Sequence, residues 1–256
     1  MQCPPVMILC GGKGTRLREH GETIPKGLVE IGGMPILWHI MKIYAHFGFK
    51  RFVLCLGYKG DMIKEYFWPN NSRTGILNGQ GSDETITYQD GSDEWTITFA
   101  ETGLETNTGG RLKRASVHVR EATLFATYGD GLADIDIGGL LSFHSRKSRL
   151  ATMTCVKPRS PFGIVLLDSD DQAIAFHEKP RMNDWVNGGF FVFQQEFFDH
   201  VGEDDVLERE PFERLVKQKQ ISAYRFEGFW RCMDTYKDAQ ELNELWETGE
   251  HPWKVW

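Results

Sequence analysis

A glycine-rich loop directly follows a short apolar run near the start of the chain. The apolar run Val6-Met7-Ile8-Leu9 is typical of a buried strand, and the loop continues as Cys10-Gly11-Gly12-Lys13-Gly14-Thr15-Arg16. Its three glycines allow the backbone to turn sharply and to present bare amide groups to a ligand. Such amides, with the permanent positive charge of Arg16 beside them, suit the oxygens of a phosphate group. The loop therefore predicts a nucleotide site at the edge of an α/β sheet.

Two common phosphate-binding motifs do not fit this loop. A dinucleotide-binding fingerprint needs glycine at the third site of G-x-G-x-x-G, where this chain has Leu17. The next apolar run, at 51–56, ends in Gly57-Tyr58 and offers no acidic residue to hold a ribose. A P-loop needs G-x-x-x-x-G-K-[ST], and Lys13 is misplaced for it. From loop spacing alone, a glycine-rich turn without a ligand remains the alternative.

Composition argues against several classes of function. The chain has 256 residues and a formal net charge of −7, whereas nucleic-acid-binding proteins usually carry a basic face. No apolar run approaches the ~18 residues that span a bilayer, and no signal-peptide pattern is evident, so we expect no membrane partner. The five cysteines are scattered without a C-x-x-C pair, which favours reduced thiols and a cytoplasmic location.

Strand and helix patterns alternate along the first half of the chain. Continuous apolar runs predict buried strands at 51–56 and 123–128. Apolar residues at helical spacing predict helices at 35–48, 61–67 and 137–145. This alternation predicts a doubly wound, mostly parallel sheet that binds ligands at the carboxyl ends of its strands.

The rest of the chain departs from this alternation. Residues 68–95 are rich in Gly, Asn, Ser and Asp, and we expect an irregular excursion there, with a hairpin outside the main sheet. Closely spaced strand patterns predict an antiparallel extension over the sheet, at 151–156, 163–168, 173–177 and 189–193. We expect a helical C-terminal region at about 236–256, and we treat 1–256 as one domain.

Two aspartates are candidate metal ligands. Asp130 lies in Tyr128-Gly129-Asp130-Gly131, directly after a predicted buried strand, and Asp234 precedes the predicted C-terminal helix. Magnesium bound to phosphates usually takes one or two protein carboxylates. The alternatives are a turn residue for Asp130 and a helix N-cap for Asp234.

Other motifs combine glycines with polar or basic residues and are candidate substrate contacts. Lys26 follows the loop, and Lys179 follows a predicted strand, although most lysines are solvated surface groups. The glycines of Asn187-Gly188-Gly189 would let a sugar approach the backbone closely. Residues 108–114 form a second glycine-basic element, and we consider a helix start with its own anion site there.

Together these motifs resemble the sugar-nucleotide pyrophosphorylases, and most closely the bacterial glucose-1-phosphate cytidylyltransferases. The resemblance covers nearly the whole chain, and the first loop marks the broad superfamily. The elements TGGRLKR at 108–114 and NGGFF at 187–191 are more specific to the cytidylyl branch. Cys10, Gly27 and His177 depart from the alanine, proline and glutamine usual in the family.

The resemblance implies a reaction and the residues that perform it. CTP and α-D-glucose 1-phosphate would give CDP-glucose and pyrophosphate by in-line displacement, with Mg²⁺ as cofactor. Asp130 and Asp234 would hold Mg²⁺, while Arg16 and Lys26 would serve as catalytic residues that offset phosphate charge. The implied nucleotide- and substrate-binding residues are Leu9, Cys10, Gly11, Gly12, Lys13, Gly14, Thr15, Thr106, Arg111, Gly129, Glu178, Lys179, Asn187, Gly188 and Gly189. A homo-oligomer is implied as well.

Other functions stay open at this point. A related nucleotidyltransferase could use UTP, dTTP or another sugar phosphate. A glycosyltransferase usually carries Asp-x-Asp at its metal site, where this chain has Gly129-Asp130-Gly131. A non-catalytic nucleotide-sugar sensor would be expected to lose the charges of Arg16, Lys26, Asp130 and Asp234.

Overall fold

A central mixed sheet flanked by helices makes up the fold. The computed structural model describes residues 3–14, 24–68 and 83–256. Its strands are β1 (Val6–Leu9), β2 (Glu30–Ile31), β3 (Met34–Pro35), β4 (Arg51–Leu56), β5 (Glu84–Asp90), β6 (Asp93–Glu101), β7 (Thr123–Tyr128), β8 (Gly131–Ala133), β9 (Ala151–Val156), β10 (Ile164–Leu167), β11 (Ala173–His177), β12 (Val186–Gln194), β13 (Ile221–Arg225) and β14 (Trp230–Cys232). Its α-helices are α1 (Ile36–His46), α2 (Gly60–Phe67), α3 (Thr108–Ala115), α4 (Ile137–Lys147), α5 (Glu210–Lys217) and α6 (Tyr236–Glu247).

The main sheet has eight strands in the order β13-β9-β12-β7-β1-β4-β6-β5. Strand β1 runs parallel to β4 and β7, β4 runs parallel to β6, and β9 runs parallel to β13. Strand β12 is antiparallel to β7 and β9, and β5 is antiparallel to β6. The predicted fold class, a mostly parallel α/β sheet, is confirmed.

The central strands are apolar on both faces because helices cover both sides of the sheet. In β1, Val6 and Ile8 belong to one buried cluster, while Met7 and Leu9 belong to the other. Helices α1, α2, α4 and α6 supply apolar side chains to the first cluster, and α3 and α5 supply the second. Because helices cover both faces of the sheet, a ligand can reach it at the carboxyl ends of the parallel strands, which form the open edge.

The predicted helices end where local sequence stops them. Helix α1 is followed by Gly48, whose φ of +88° suits a residue without a side chain just past a helix end. Helix α6 begins with a capping box, in which Thr235 and Asp238 satisfy each other's backbone amide.

Within the described residues, no helix has both the length and the apolar character needed to cross a membrane.

The hairpin of β5 and β6 belongs to the main sheet, so its predicted place outside that sheet is wrong. Strand β6 pairs in parallel with β4 from Thr96 to Glu101, and its side chains Trp95, Ile97 and Phe99 are fully buried. Burying these three side chains outweighs the polar character of the segment before them. Residues 69–82 of the predicted excursion lie outside the described residues.

The predicted antiparallel extension is present, but most of it lies within the main sheet rather than over it. Strands β9 and β12 continue the sheet beyond β7, because the apolar side chains of β12 alternate between the two buried clusters. Of the strands in the predicted extension, only β10 and β11 form a separate two-stranded ribbon. Its apolar side chains are exposed, including Ile174 at 62% and Phe176 at 64%.

Candidate active site

The glycine loop and the Gly129-Asp130 turn lie side by side at the open edge of the sheet. Leu9, the last residue of β1, pairs with Tyr128, the last residue of β7. The amide of Gly129 donates to the carbonyl of Leu9 at 2.9 Å. A Cβ at Gly129 would come within 2.9 Å of that same carbonyl oxygen, so the close approach of the two strand ends requires glycine here.

A cavity of about 240 Å³ opens at this meeting point. It is lined by Leu9, Cys10, Gly12, Gly14, Lys26, Gly27, Gly129, Asp130 and Asp234. All of these except Gly27 are among the predicted site residues. The fold therefore brings the first loop, Lys26 and both candidate metal ligands to one cavity.

Lys26 lies between the two aspartates. Its Nζ is 2.6 Å from Oδ2 of Asp130 and 2.7 Å from Oδ1 of Asp234. Burial alone would lower the pKa of Lys26, but the two carboxylates outweigh burial and raise its pKa above the usual value. The carboxylate pair thus stabilises positive charge in the cavity.

The donor set of this cluster fits Mg²⁺ through its two carboxylates. Single donor atoms of Asp130, Cys232 and Asp234 lie within 4.8 Å of one another. Carboxylate oxygens are hard ligands that suit Mg²⁺, whereas a thiol suits softer metals. Burial, reinforced by the charge of Asp130, raises the pKa of Cys232 above its usual range, so this residue stays a neutral thiol.

The alternative role of Asp234 as a helix N-cap is wrong. Thr235 is the N-cap of α6, and its hydroxyl accepts from the amide of Asp238 at 3.2 Å. Next to Asp234, the amide of Met233 donates to the carbonyl of Asp130 at 2.8 Å. The carboxylate of Asp234 therefore does not cap the helix, and it is held close to Asp130.

Arg111 lies beneath the glycine loop and is only 5% exposed. Its guanidinium packs against the backbone of Gly11 and Gly57, where an added Cβ would come within 2.4 Å and 2.3 Å of Nη1. The guanidinium donates to the carbonyl oxygens of Leu56, Gly103 and Leu104 and to the hydroxyl of Thr102, at 2.7–3.1 Å. Burial lowers the pKa of Arg111 from its usual value. In this arrangement Arg111 supports the loop from below.

The remaining residues predicted on the nucleotide side lie around the loop. Lys13 forms a partly exposed ion pair with Glu105 at 2.6 Å. The Thr106 hydroxyl donates to the carbonyl of Thr102 at 2.6 Å, on the segment that leads into α3. Thr15 and Arg16 lie outside the described residues.

The anion site considered at the start of α3 is wrong. The amide of Gly110 donates to the carbonyl of Asp205 at 3.2 Å, so a neighbouring segment already covers this end of the helix. Glu203 and Asp205 pack against the helix glycines through their backbone. The carboxylate of Glu208 accepts from Thr108. A covered helix end flanked by acidic residues disfavours a bound anion.

The Asn187-Gly188-Gly189 segment lies on β12, next to a second cavity. Its Gly188 carbonyl accepts from the indole of Trp230 at 2.8 Å. The second cavity, of about 490 Å³, meets the first at Asp234, which lines both. Basic, acidic and aromatic side chains line it, including Lys157, Arg159, Arg181 and Arg231, Glu227 and Asp238, and Phe229 and Trp230.

Glu178 and Lys179 lie outside both cavities. They follow β11 at the end of the exposed ribbon, and both are exposed. Neither residue lines either cavity. Two residues near the site that were not predicted from the sequence are Cys232, which lies in a three-residue strand, and Glu208, which lies in a polar turn that carries no recognisable motif.

Similarity to known proteins covers nearly the whole chain. The sequence model of the family described as nucleotidyl transferase matches residues 5–248. A probable glucose-1-phosphate cytidylyltransferase of Bacillus subtilis (strain 168) is 44% identical, over 98% of this chain and 99% of the relative. A glucose-1-phosphate cytidylyltransferase of Salmonella typhi is 42% identical, over 98% of each chain.

The same fold is found in a solved structure of HddC from Yersinia pseudotuberculosis in complex with GMP-PN. The two folds superpose with a TM-score of 0.69, over 95% of this chain and 100% of the other. Their sequences are 21% identical, so this likeness concerns the fold alone.

Proposed function

Since the chain belongs to the nucleotidyl transferase family, we propose that it transfers the cytidylyl group of CTP to α-D-glucose 1-phosphate. The products are CDP-glucose and pyrophosphate. The near full-length similarity to relatives named for this activity supports the choice of substrates. The observation that carries the proposal is the cavity in which the glycine loop meets Lys26, Asp130 and Asp234.

The reaction is an in-line displacement at phosphorus. An oxygen of the sugar phosphate attacks the α-phosphorus of CTP, the bond to the β-phosphate oxygen breaks, and pyrophosphate leaves with the electron pair. The attacking phosphate is already ionised, so no general base is needed. Because the sugar phosphate attacks CTP directly, no covalent enzyme intermediate forms. Catalysis then consists of positioning the two substrates and stabilising their charge.

The chain's own residues supply both contributions. Backbone amides of Gly11, Gly12 and Gly14 would bind phosphate oxygens of the nucleotide. The Lys26 ammonium would leave the two aspartates and offset charge that develops on the phosphates. Arg16 stays a prediction for a second positive charge at this site.

Mg²⁺ is the proposed cofactor, and Asp130 and Asp234 would hold it. Their two carboxylates already stabilise a cation, the ammonium of Lys26, which supports their fit to a metal ion. When bound, Mg²⁺ would offset negative charge on the phosphates. Turnover is expected to stop after chelation with EDTA and to return on addition of MgCl₂.

The sugar phosphate would bind on the β12 side of the site. Asn187, Gly188 and Gly189 are its proposed contacts, and the adjoining cavity, whose lining includes four basic side chains beside three acidic ones, supports this placement. Glu178 and Lys179 remain predicted contacts on the strength of the family resemblance.

A homo-oligomer is proposed as well, and the cytoplasmic location stays a prediction. The exposed apolar side chains of the β10–β11 ribbon, such as Ile174 and Phe176, support a second copy of the chain as partner. Light scattering would give the molar mass in solution, and Phe176→Asp should lower it towards the 29.4 kDa of one chain.

Product analysis tests the proposed reaction. The purified chain, mixed with CTP, α-D-glucose 1-phosphate and MgCl₂, should form pyrophosphate and CDP-glucose in equal amounts, as followed by ³¹P NMR. Release of glucose from a nucleotide sugar would favour a glycosyltransferase instead. Nucleotide-sugar binding without any product would favour a sensor.

A further inference from the structure

A series of hydrogen-bonded side chains joins helix α3 to strand β12 beside the candidate active site. The Nδ2 amide of Asn187 donates to the Tyr128 hydroxyl at 2.9 Å, and that hydroxyl donates to Oε1 of Glu208. The other carboxylate oxygen of Glu208 accepts from the Thr108 hydroxyl at 2.8 Å. Glu208 therefore connects the first residue of α3 with the last residue of β7.

The direction of each of these hydrogen bonds is set by its neighbours. The Thr108 oxygen already accepts from the amide of Leu207 at 2.9 Å, so its proton is left for the carboxylate. Burial, and after it the charge of Glu208, raises the pKa of the Tyr128 hydroxyl above its usual value. The hydroxyl therefore keeps its proton, donates it to Glu208, and accepts from Asn187.

The side chain of Asn187 is held at both ends of its amide. Its Oδ1 accepts from the amide of Gly189 at 2.9 Å, while its Nδ2 is engaged by Tyr128. Gly189 has a φ of +81° and lies against the Tyr128 ring, where a Cβ would come within 2.5 Å of Cδ2. The orientation of Asn187 is thus fixed, and one of its N–H groups makes no hydrogen bond within residues 3–14, 24–68 and 83–256 and remains for a ligand.

We propose that Glu208 is a positioning residue for the sugar phosphate, which acts through Tyr128 to fix the orientation of Asn187. This inference rests on the proposed function, in which Asn187 contacts the sugar phosphate. The Tyr128 hydroxyl lies between Glu208 and Asn187, so Glu208 acts on Asn187 through that hydroxyl. Through Thr108 it also ties this contact to α3, the helix whose Arg111 supports the nucleotide loop.

Steady-state kinetics of Glu208→Ala, Tyr128→Phe and the double variant test the proposal. Each single variant should raise KM for glucose 1-phosphate about tenfold, with kcat and KM for CTP changed less than about twofold. The double variant should show no further increase, because both changes break the same connection. Glu208→Gln keeps an acceptor oxygen and should restore part of the loss.

Glu213→Ala is the matched control, since Glu213 is an exposed carboxylate on α5 with no side-chain hydrogen bond in the described part of the chain. It should leave both KM values unchanged. Effects of Glu208→Ala and Tyr128→Phe that add in the double variant would overturn the proposal. Equal increases in KM for both substrates, or none, would also overturn it.

A readout without turnover separates this inference from the proposed reaction. In ¹⁵N-labelled protein without substrates, the side-chain amide signal of Asn187 should shift in Glu208→Ala and stay in place in Glu213→Ala. Wild-type protein that gives no product would refute the proposed reaction only. An Asn187 signal that Glu208→Ala leaves unmoved would refute the positioning role, whatever the protein's activity.

Discussion

Lys26 and Asp130, which lie 104 positions apart in the chain, form an ion pair with 2.6 Å between Nζ and Oδ2. Asp234 receives a second hydrogen bond from the same ammonium at 2.7 Å. Two carboxylates that hold a cation beside a glycine-lined cavity would also suit a metal ion that assists phosphoryl transfer. The proposed chemistry depends on this cluster.

Asp130→Asn should reduce kcat by at least about a hundredfold while the fold is kept. An amide has nearly the shape of a carboxylate but lacks the negative charge that holds a cation. Rates at saturating MgCl₂, together with the thermal midpoint, measure the two effects. Asp170→Asn, on the exposed turn after β10, is the control, and a near-normal rate in Asp130→Asn would reduce Asp130 to a turn residue.

Arg111→Met should lower the free energy of unfolding by about 2 kcal/mol or more. The change leaves the partly buried carbonyl oxygens of Gly103 and Leu104 without this donor, and each stranded acceptor costs about 1–3 kcal/mol, whereas the Leu56 carbonyl still accepts from the amide of Thr102. Urea unfolding of Arg111→Met and of Arg120→Met, an exposed arginine, gives the comparison. The control should stay within about 0.5 kcal/mol of wild type. A loss of activity in Arg111→Met without a loss of stability would instead indicate direct contact with substrate.

Gly189→Ala should destabilise the protein more than Gly91→Ala does. Both glycines have positive φ values, +81° and +61°, so both changes strain the backbone by about 1–2 kcal/mol. Only at Gly189 would the new Cβ meet the Tyr128 ring, because nothing lies within 4 Å at Gly91. The difference in unfolding free energy between the two variants isolates this contact, and equal losses would show that the ring moves aside freely.

Stability should fall as the pH drops from about 6.5 towards 4, partly because of two buried histidines. Burial lowers the pKa of His39 and of His144 to about 4 in each case. Below their usual pKa the unfolded chain binds protons that the folded chain excludes, so acid favours unfolding, and nothing is lost above pH 6.5. Between pH 7 and 5, His144→Gln should lose about 2 kcal/mol less stability than wild type. Parallel losses would contradict this assignment.

Most of the fold could be predicted from local patterns. Strands β1, β4, β7, β9 and β11 have the predicted bounds. In β1, β4 and β7 a continuous apolar run identified a buried strand, whereas β11 is mostly exposed. The place of β6 could not be derived in this way, since each of its residues that pairs with β4 lies 45 positions after its partner, as Thr96 does after Arg51. The alternating Trp95, Ile97 and Phe99 were the available signal.

Part of the candidate site was predictable from sequence motifs, but the contacts between its residues were not. The glycines, Lys26 and the two aspartates stand in recognisable motifs, and the strand ends bring them to one edge. That Lys26 lies between Asp130 and Asp234 depends on contacts across 104 and 208 positions. Glu208 could not be predicted, because its hydrogen bonds to Tyr128 and Thr108 join positions 80 and 100 residues apart.

The most direct test of the account is a panel of initial rates of pyrophosphate release. CTP, UTP, dTTP, ATP and GTP are each paired with the 1-phosphates of glucose, galactose and mannose, at equal concentrations and saturating MgCl₂. CTP with α-D-glucose 1-phosphate should be fastest, by about tenfold to a hundredfold over UTP, because a pocket that accepts the cytosine amine leaves polar groups unpaired with uracil. Equal or faster turnover with UTP or dTTP would contradict the cytidylyl assignment.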